Sequence, residues 1–245
     1  MAVTGAAPTP SARIFVALDT ASVSGALGLA RRLDGLVGGL KLGLEFFCAH
    51  GPAGVREVAA LGLPIFLDLK LHDIPNTVAG GVRGAAATGP AFITLHAGGG
   101  PAMLRAAVAA ATEAAGAHSV ARPMLLGVTV MTSLDDDDLE AVGQRGPAAE
   151  QVLRLATLGQ DCGLDGIVCS PHEVAAIRDR CGSRLKLMVP GVRPVWAAAD
   201  DQKRVMTPAE AVRAGADWLV IGRPITRADD PAEAARRIAA EIAEG

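Results

Sequence analysis

Apolar and polar positions along this chain follow two periods in turn. Short aliphatic runs that fit extended strands cover 14–19, 39–44, Ile65–Leu71, Phe92–His96, 124–131, 166–170, 185–189 and 218–222. Between them lie alanine-rich stretches with apolar residues at helical spacing, such as Val23–Leu33, 51–61, 101–116, 148–162, 171–181 and Pro208–Ala214. Pro171 and Pro208 stand where the first turn of a helix accepts proline. Strand and helix in alternation predict a parallel sheet with helices over its face. Eight such strands predict an α/β fold of the closed (β/α)8 TIM-barrel kind. The rival layout, an open doubly wound sheet, calls for a glycine-rich turn after the first strand. The chain has Asp19-Thr20-Ala21-Ser22 there.

Polar residues recur where these strands end. Asp19 closes the first, Lys41 lies in the second, and Asp68, Lys70 and Asp73 lie on or just after the third. His96 ends the fourth, Thr132 and Ser133 follow the fifth, Ser170 ends the sixth, Arg193 follows the seventh, and Gly222-Arg223 ends the eighth. In α/β barrels the active site occupies the C-terminal face of the strands, so this series marks a candidate site.

The run Ile65-Phe-Leu-Asp-Leu-Lys-Leu71 carries the sharpest signal. Strict alternation puts Asp68 and Lys70 on one face and Leu67, Leu69 and Leu71 on the other. Charges in an apolar strand are costly unless paired or used. Carboxylates flanking a lysine favour its ammonium form, which can then deliver a proton to a strong base formed beside it. A purely structural ion-pair cluster is the bland alternative.

Two further segments point to phosphate. Trp218-Leu-Val-Ile-Gly-Arg-Pro-Ile-Thr226 reads as a strand entering a Gly-Arg turn and a helix, where backbone N–H groups and Arg223 can hold an anion. The long connection after strand seven, with Arg193 and Gln202, has the length of a binding loop or lid. Lys203 and Arg204 read as solvated charges. Gly98-Gly99-Gly100 lacks the partners of a phosphate cradle and reads as a tight turn. His72 and His96 read as packing residues. Asp135–Asp138 lacks the spacing of a calcium loop and reads as a helix start.

Composition narrows the function classes. The chain has 245 residues, half of them hydrophobic, and this suits one large domain at 13–245 behind a flexible lead-in at 1–12. The lead-in lacks the basic and apolar regions of a signal peptide. A net charge of −3 argues against a general nucleic-acid or membrane surface. The lack of Tyr, with 3% aromatic residues overall, removes a base-stacking platform. Cys48, Cys162, Cys169 and Cys181 have no metal-ligand spacing and read as reduced thiols of a cytoplasmic protein. No apolar run reaches the ~18 residues that a membrane span requires.

Asp68-Leu-Lys-Leu-His-Asp73-Ile-Pro-Asn-Thr77 resembles the signature of the orotidine 5′-phosphate decarboxylase family in its bacterial form. The resemblance runs through Ala17-Leu-Asp19, Lys41-Leu-Gly43, Val130-Met-Thr-Ser133, Pro190-Gly-Val-Arg-Pro194, Asp201-Gln-Lys-Arg-Val-Met-Thr-Pro208 and Ile221-Gly-Arg-Pro224. It implies a barrel homodimer with shared active sites that converts orotidine monophosphate to UMP and CO₂ with neither metal nor organic cofactor. On this resemblance Lys70 is the proton donor to C6, Asp68 sits beside the substrate carboxylate, and Lys41 and Asp19 reach the ribose. Asp73 and Thr77 are implied to cross the dimer into the neighbouring site. Substrate contacts are implied along Asp68, Leu69, Lys70, Leu71, His72, Asp73, Ile74, Pro75, Asn76 and Thr77. Thr132 is implied at the base, and Arg193, Gln202, Gly222 and Arg223 at the phosphate. Trp196 and Asp200 stand where the family pattern leads one to expect glycine.

Metal-dependent sugar-phosphate enzymes with the same DxKxxD strand are one rival. They place an acidic metal ligand on strand two, where this chain has Lys41. A non-catalytic sugar-phosphate sensor is another, expected to have lost Asp68 or Lys70; both are present.

Overall fold

The computed structural model describes residues 8–118, 120–197 and 206–245. Eight parallel strands close into a barrel in sequence order. They are β1 Ile14–Leu18, β2 Gly39–Leu42, β3 Ile65–Leu71, β4 Phe92–His96, β5 Met124–Val128, β6 Gly166–Val168, β7 Lys186–Pro190 and β8 Trp218–Ile221. Pairing of Ile14, Phe15 and Val16 with Leu219, Val220 and Ile221 seals the last strand to the first and excludes the open sheet.

The helices are α1 Val23–Leu33, α2 Leu44–Ala59, α3 Pro75–Ala86, α4 Gly100–His118, α5 Asp136–Ala141, α6 Ala148–Asp161, α7 Val174–Cys181, α8 Pro208–Ala214, α9 Arg223–Thr226 and α10 Pro231–Glu244. The second helix begins seven residues earlier than its pattern predicts, because Leu44 leaves β2 directly into a helix. Gly51, at φ 56°, kinks it where Pro52 follows. The expected strand at 124–131 stops at Val128, and the polar residues beyond it form turns. Two helices fall outside the expected segments. The α3 segment contains Gly80, Gly81 and Gly84, poor helix formers whose cost is met by packing of Val78, Ala79, Val82, Ala85 and Ala86 into the core. The α10 segment starts at Pro231 and is capped by the Asp230 side chain. The acidic run does open a helix: Asp135 and Asp138 form a reciprocal capping box at α5.

Alternation along the strands sorts two cores. Ile14, Val16 and Leu18 belong to the larger cluster, shared with helix residues. Phe15 and Ala17 join Phe66, Phe92, Leu126, Met188 and Val220 in a second cluster drawn from strands alone, which fills the barrel lumen. Phe15 meets Phe92 edge-on at 5.3 Å, and Phe92 meets Trp218 at 4.8 Å. Each such pair adds about 0.5–1.5 kcal/mol beyond area burial. The plug requires glycine at 39, since a Cβ there would come within 2.3 Å of the Phe15 ring. Continuing the lumen series two residues further along each strand reaches Asp19, Asp68, Thr94, Val128, Pro190 and Gly222. The same alternation that packs the plug therefore delivers the polar set to the barrel mouth.

Candidate active site

Four charged side chains converge at that mouth. Lys70 Nζ donates to Asp68 Oδ2 at 2.7 Å. Lys41 Nζ lies 3.2 Å from Asp19 Oδ1 and 3.8 Å from Asp68 Oδ2, so it bridges the two carboxylates. The side chains of Asp68 and Lys41 are 12% and 13% exposed, so their attraction is screened far less than that of a surface pair. Lys70 is more open at 32%, and its ammonium can reach a ligand at the mouth.

The reason Lys70 meets Asp68 differs from the expected one. Strict alternation breaks between Leu67 and Leu71: these pair with Ile93 and Leu95, so β3 spends two extra residues against β4. Lys70 takes φ 49°, the one non-glycine residue at positive φ among the described residues. Such a conformation costs about 1–3 kcal/mol and is held only by its surroundings. Thr94, fully buried on β4, supplies part of the hold. Its Oγ1 accepts from the Lys70 backbone N–H and donates to Asp68 Oδ1, both at 2.9 Å. Sequence reading passed over Thr94. The available signal was a polar residue at the lumen position of the otherwise apolar run Phe92-Ile-Thr-Leu95.

Beyond β3, Asp73 accepts from the Ile74 N–H at 2.6 Å. Asp73, Ile74, Pro75, Asn76 and Thr77 are all exposed. Asn76 and Thr77 lie in the first turn of α3. Leu69 is buried, Leu71 half-buried, and the exposed His72 stacks on His96 with ring centroids 5.2 Å apart. His96 has its pKa lowered by burial, then by His72 and Lys70, against an opposing pull from Asp68. The two histidines thus pack at the site's edge.

A cavity of about 330 Å³ opens over this set. Lys41, Asp68 and Lys70 line it together with Val128, Val130, Met131, Thr132, Ser133, Val168 and Cys169. Its lining is mostly apolar with Lys41, Asp68 and Lys70 as the charged members, the make-up of a small-molecule site in which a few polar groups fix orientation. The thiol of Cys169 is held protonated by burial. A second cavity of about 260 Å³ continues from the first through Lys41, Pro190 and Val220, and is lined by Asp19, Arg193, Gly222 and Arg223. Gly222 caps α9 and Arg223 opens it. The groove therefore runs from a lysine–aspartate cluster to an arginine-lined end, the shape and polarity of a phosphorylated ligand. Of the expected contacts, Gln202 lies outside the described residues, as does Asp200.

Residues 12–238 match the family described as "Orotidine 5'-phosphate decarboxylase / HUMPS family". The chain belongs to that family. Proteins named orotidine 5'-phosphate decarboxylase from Paramagnetospirillum magneticum and Rhodospirillum rubrum are 58% and 56% identical to it, each over 94% of this chain and over 97% and 93% of their own lengths. The crystal structure of orotidine 5'-phosphate decarboxylase from Lactobacillus acidophilus is similar with a TM-score of 0.82 at 36% identity, covering 94% of this chain and 98% of that one. The one from Pyrococcus horikoshii gives 0.74 at 26% identity, covering 94% and 99%. Within this orotidine 5'-phosphate decarboxylase / HUMPS family member, Trp196 has a definite partner: the Arg237 guanidinium of α10 lies 4.3 Å from its ring centroid. Such a contact contributes about 0.5–1 kcal/mol at an exposed site.

Proposed function

We propose that this chain is an orotidine 5′-phosphate decarboxylase, converting orotidine monophosphate to UMP and CO₂ in de novo pyrimidine biosynthesis. The observation that carries the reading is the Lys41–Asp68–Lys70 cluster at one end of a groove whose other end is lined by Arg193 and Arg223, in a chain 58% identical to a named decarboxylase.

The groups suit the reaction. When the bond from C6 to the carboxylate breaks, its electron pair stays on C6 and CO₂ leaves. The ring offers that pair no π-delocalisation, so fixed charges must stabilise it before a proton arrives. Lys70 acts in both roles: its ammonium faces the developing carbanion and gives up the proton that becomes the C6–H. Asp68 holds the Lys70 head group and sits beside the departing carboxylate; Lys41 neutralises Asp68 and, with Asp19, reaches the ribose. Thr132 contacts the base. Arg193, Gln202, Gly222 and Arg223 hold the phosphate, whose remote binding energy is spent on assembling the charged end.

No metal or organic cofactor enters this reading. An enediolate-stabilising cation would need acidic ligands near β2, and there the Lys41 ammonium stands 3.2 Å from Asp19 and 3.8 Å from Asp68. A second cation at this place would meet direct repulsion. Purified protein should consume orotidine monophosphate, followed as a change in pyrimidine absorbance, at the same rate after exhaustive chelation. Loss with EDTA and rescue by Mg²⁺ would transfer the chain to the metal-dependent class. No consumption under either condition would sink the decarboxylase reading.

The working unit is a homodimer with shared sites. This is supported by the exposed Asp73 and Thr77 at the site's edge and by Ile74 between them, 67% exposed, an apolar side chain suited to a protein contact. Lys70→Ala and Asp73→Ala homodimers should each be inactive. On subunit exchange the heterodimer places both defects in one site and leaves the other intact, so activity should return toward about half of wild type per heterodimer. Exchange confirmed by mass with no activity would place Asp73 in its own chain's site. Location in the cytoplasm is supported by four cysteines that are all unpaired. Among the described residues no helix is long and apolar enough to cross a membrane.

A further inference from the structure

We propose that Thr94 is a positioning residue for the proton donor, acting through its hydroxyl on both Lys70 and Asp68. The inference rests on the decarboxylase reading and extends it to a residue that touches neither substrate nor product.

Three observations carry it. First, the hydroxyl is used in both directions at once. It accepts from the Lys70 backbone N–H and donates its single proton to Asp68 Oδ1, each at 2.9 Å. Asp68 Oδ2 is thereby left to the ammonium groups: Lys70 Nζ at 2.7 Å and Lys41 Nζ at 3.8 Å. One oxygen of the carboxylate is anchored to the barrel wall and the other faces the chemistry.

Second, the peptide that Thr94 holds is the strained one. Lys70 sits at φ 49° inside an interruption of the β3–β4 ladder between Leu67 and Leu71. The ladder bond that regular pairing would give the Lys70 N–H is replaced by one to a side chain. An unsupported lysine there would relax toward ordinary extended geometry, where alternation alone would set the direction of its side chain.

Third, Thr94 has no solvent exposure, so no water can take over when the hydroxyl is removed. Thr94→Val keeps the shape and branching but leaves the Lys70 N–H and Asp68 Oδ1 without this partner. Thr94→Ser keeps the hydroxyl and loses one methyl group.

The test measures kcat and KM for orotidine monophosphate, UMP affinity by calorimetry, and the melting temperature for wild type, Thr94→Val and Thr94→Ser. For Thr94→Val we expect kcat to fall about 10- to 100-fold, the loss expected when a reacting group is displaced by about 1 Å. UMP affinity and KM should stay within about threefold, because the arginine end is untouched. Thr94→Ser should retain kcat within about fivefold. Comparable kcat in a folded Thr94→Val enzyme overturns the proposal, and so does a Thr94→Ser enzyme as slow as Thr94→Val. Should Thr94→Val give no folded protein, Thr94→Cys, with a much weaker donor, replaces it: a folded Cys variant of unchanged kcat overturns the idea and a selective kcat loss supports it. Wild-type protein that does not decarboxylate at all would instead remove the functional reading on which the proposal stands.

Discussion

The two ends of the barrel carry the same kinds of charge and use them differently. At the end where the strands begin, Asp217 takes the Arg178 guanidinium, Lys186 Nζ at 3.1 Å and the Leu187 N–H at 2.8 Å. Asp165 takes both of its contacts with Arg122 at 2.9 Å and the Leu125 N–H at 2.7 Å. Arg13 donates to the carbonyls of Ala216 and Asp217. Each of these two carboxylates ties neighbouring strands together through a backbone amide as well as a cation. At the other end Asp68 serves two ammonium groups and a hydroxyl beside a cavity of about 330 Å³, and Asp19 is 68% exposed. The lower clusters are closed on the protein itself, and the upper cluster is built facing space. An ion pair marks a site when its geometry leaves a face for something else, not because charges meet.

Paired substitutions break this comparison most sharply. Lys70→Ala should reduce turnover by at least about 10²- to 10⁴-fold, the range for a lost general acid, with a melting temperature close to wild type. Asp217→Ala should do the reverse. It strands the cationic Arg178 in partly buried surroundings, where removal of one partner costs about 3 kcal/mol, while kcat of the folded fraction stays near wild type. Thermal unfolding and steady-state rates on the same preparations decide the matter. A Lys70→Ala protein that melts far below wild type, or an Asp217→Ala protein that stays folded with lost turnover, would dissolve the distinction between the ends.

Arg223→Ala gives a smaller effect within the upper end. Loss of a charge-assisted contact should raise the barrier in kcat/KM by about 1.5–3 kcal/mol. The penalty should fall mostly on KM and largely disappear with the unphosphorylated nucleoside. Equal damage to both substrates would mean that Arg223 acts by holding the α9 turn rather than the ligand.

How much of this was legible beforehand follows from the physics of each element. The barrel was readable because eight apolar runs of strand length recur along the chain, most of them separated by stretches at helical spacing, and burial on both faces makes each strand an apolar run. The upper site was readable at Asp68, Lys70 and Lys41 because charges interrupt such runs. Three things were not. The glycine-rich α3 is stabilised by packing, which local propensity does not report. The positive φ at Lys70 belongs to a ladder irregularity between β3 and β4, and no single segment encodes a register. The lower ion pairs were not legible because their carboxylates meet cations that are 31 to 43 residues away in sequence. Asp165 and Asp217 precede Gly166 and Trp218, so the charges are not confined to one end.

The smallest prediction concerns pH. His96 has its pKa lowered from 6.5 by burial first, then by its neighbours His72 and Lys70, with Asp68 pulling the other way. A lowered folded pKa means that on acidification the unfolded chain takes up this proton before the folded chain does. Between pH 6.5 and the lower folded value the unfolded state therefore binds more protons, and stability falls as pH falls. Above that window both states carry a neutral ring and the group contributes no slope. Glutamine at 96 cannot titrate, so the melting temperatures of wild type and His96→Gln should run parallel above pH 6.5 and diverge below it, wild type losing more. Parallel curves for wild type and His96→Gln below pH 6.5 would show that the ring beside Lys70 takes up its proton equally well folded and unfolded.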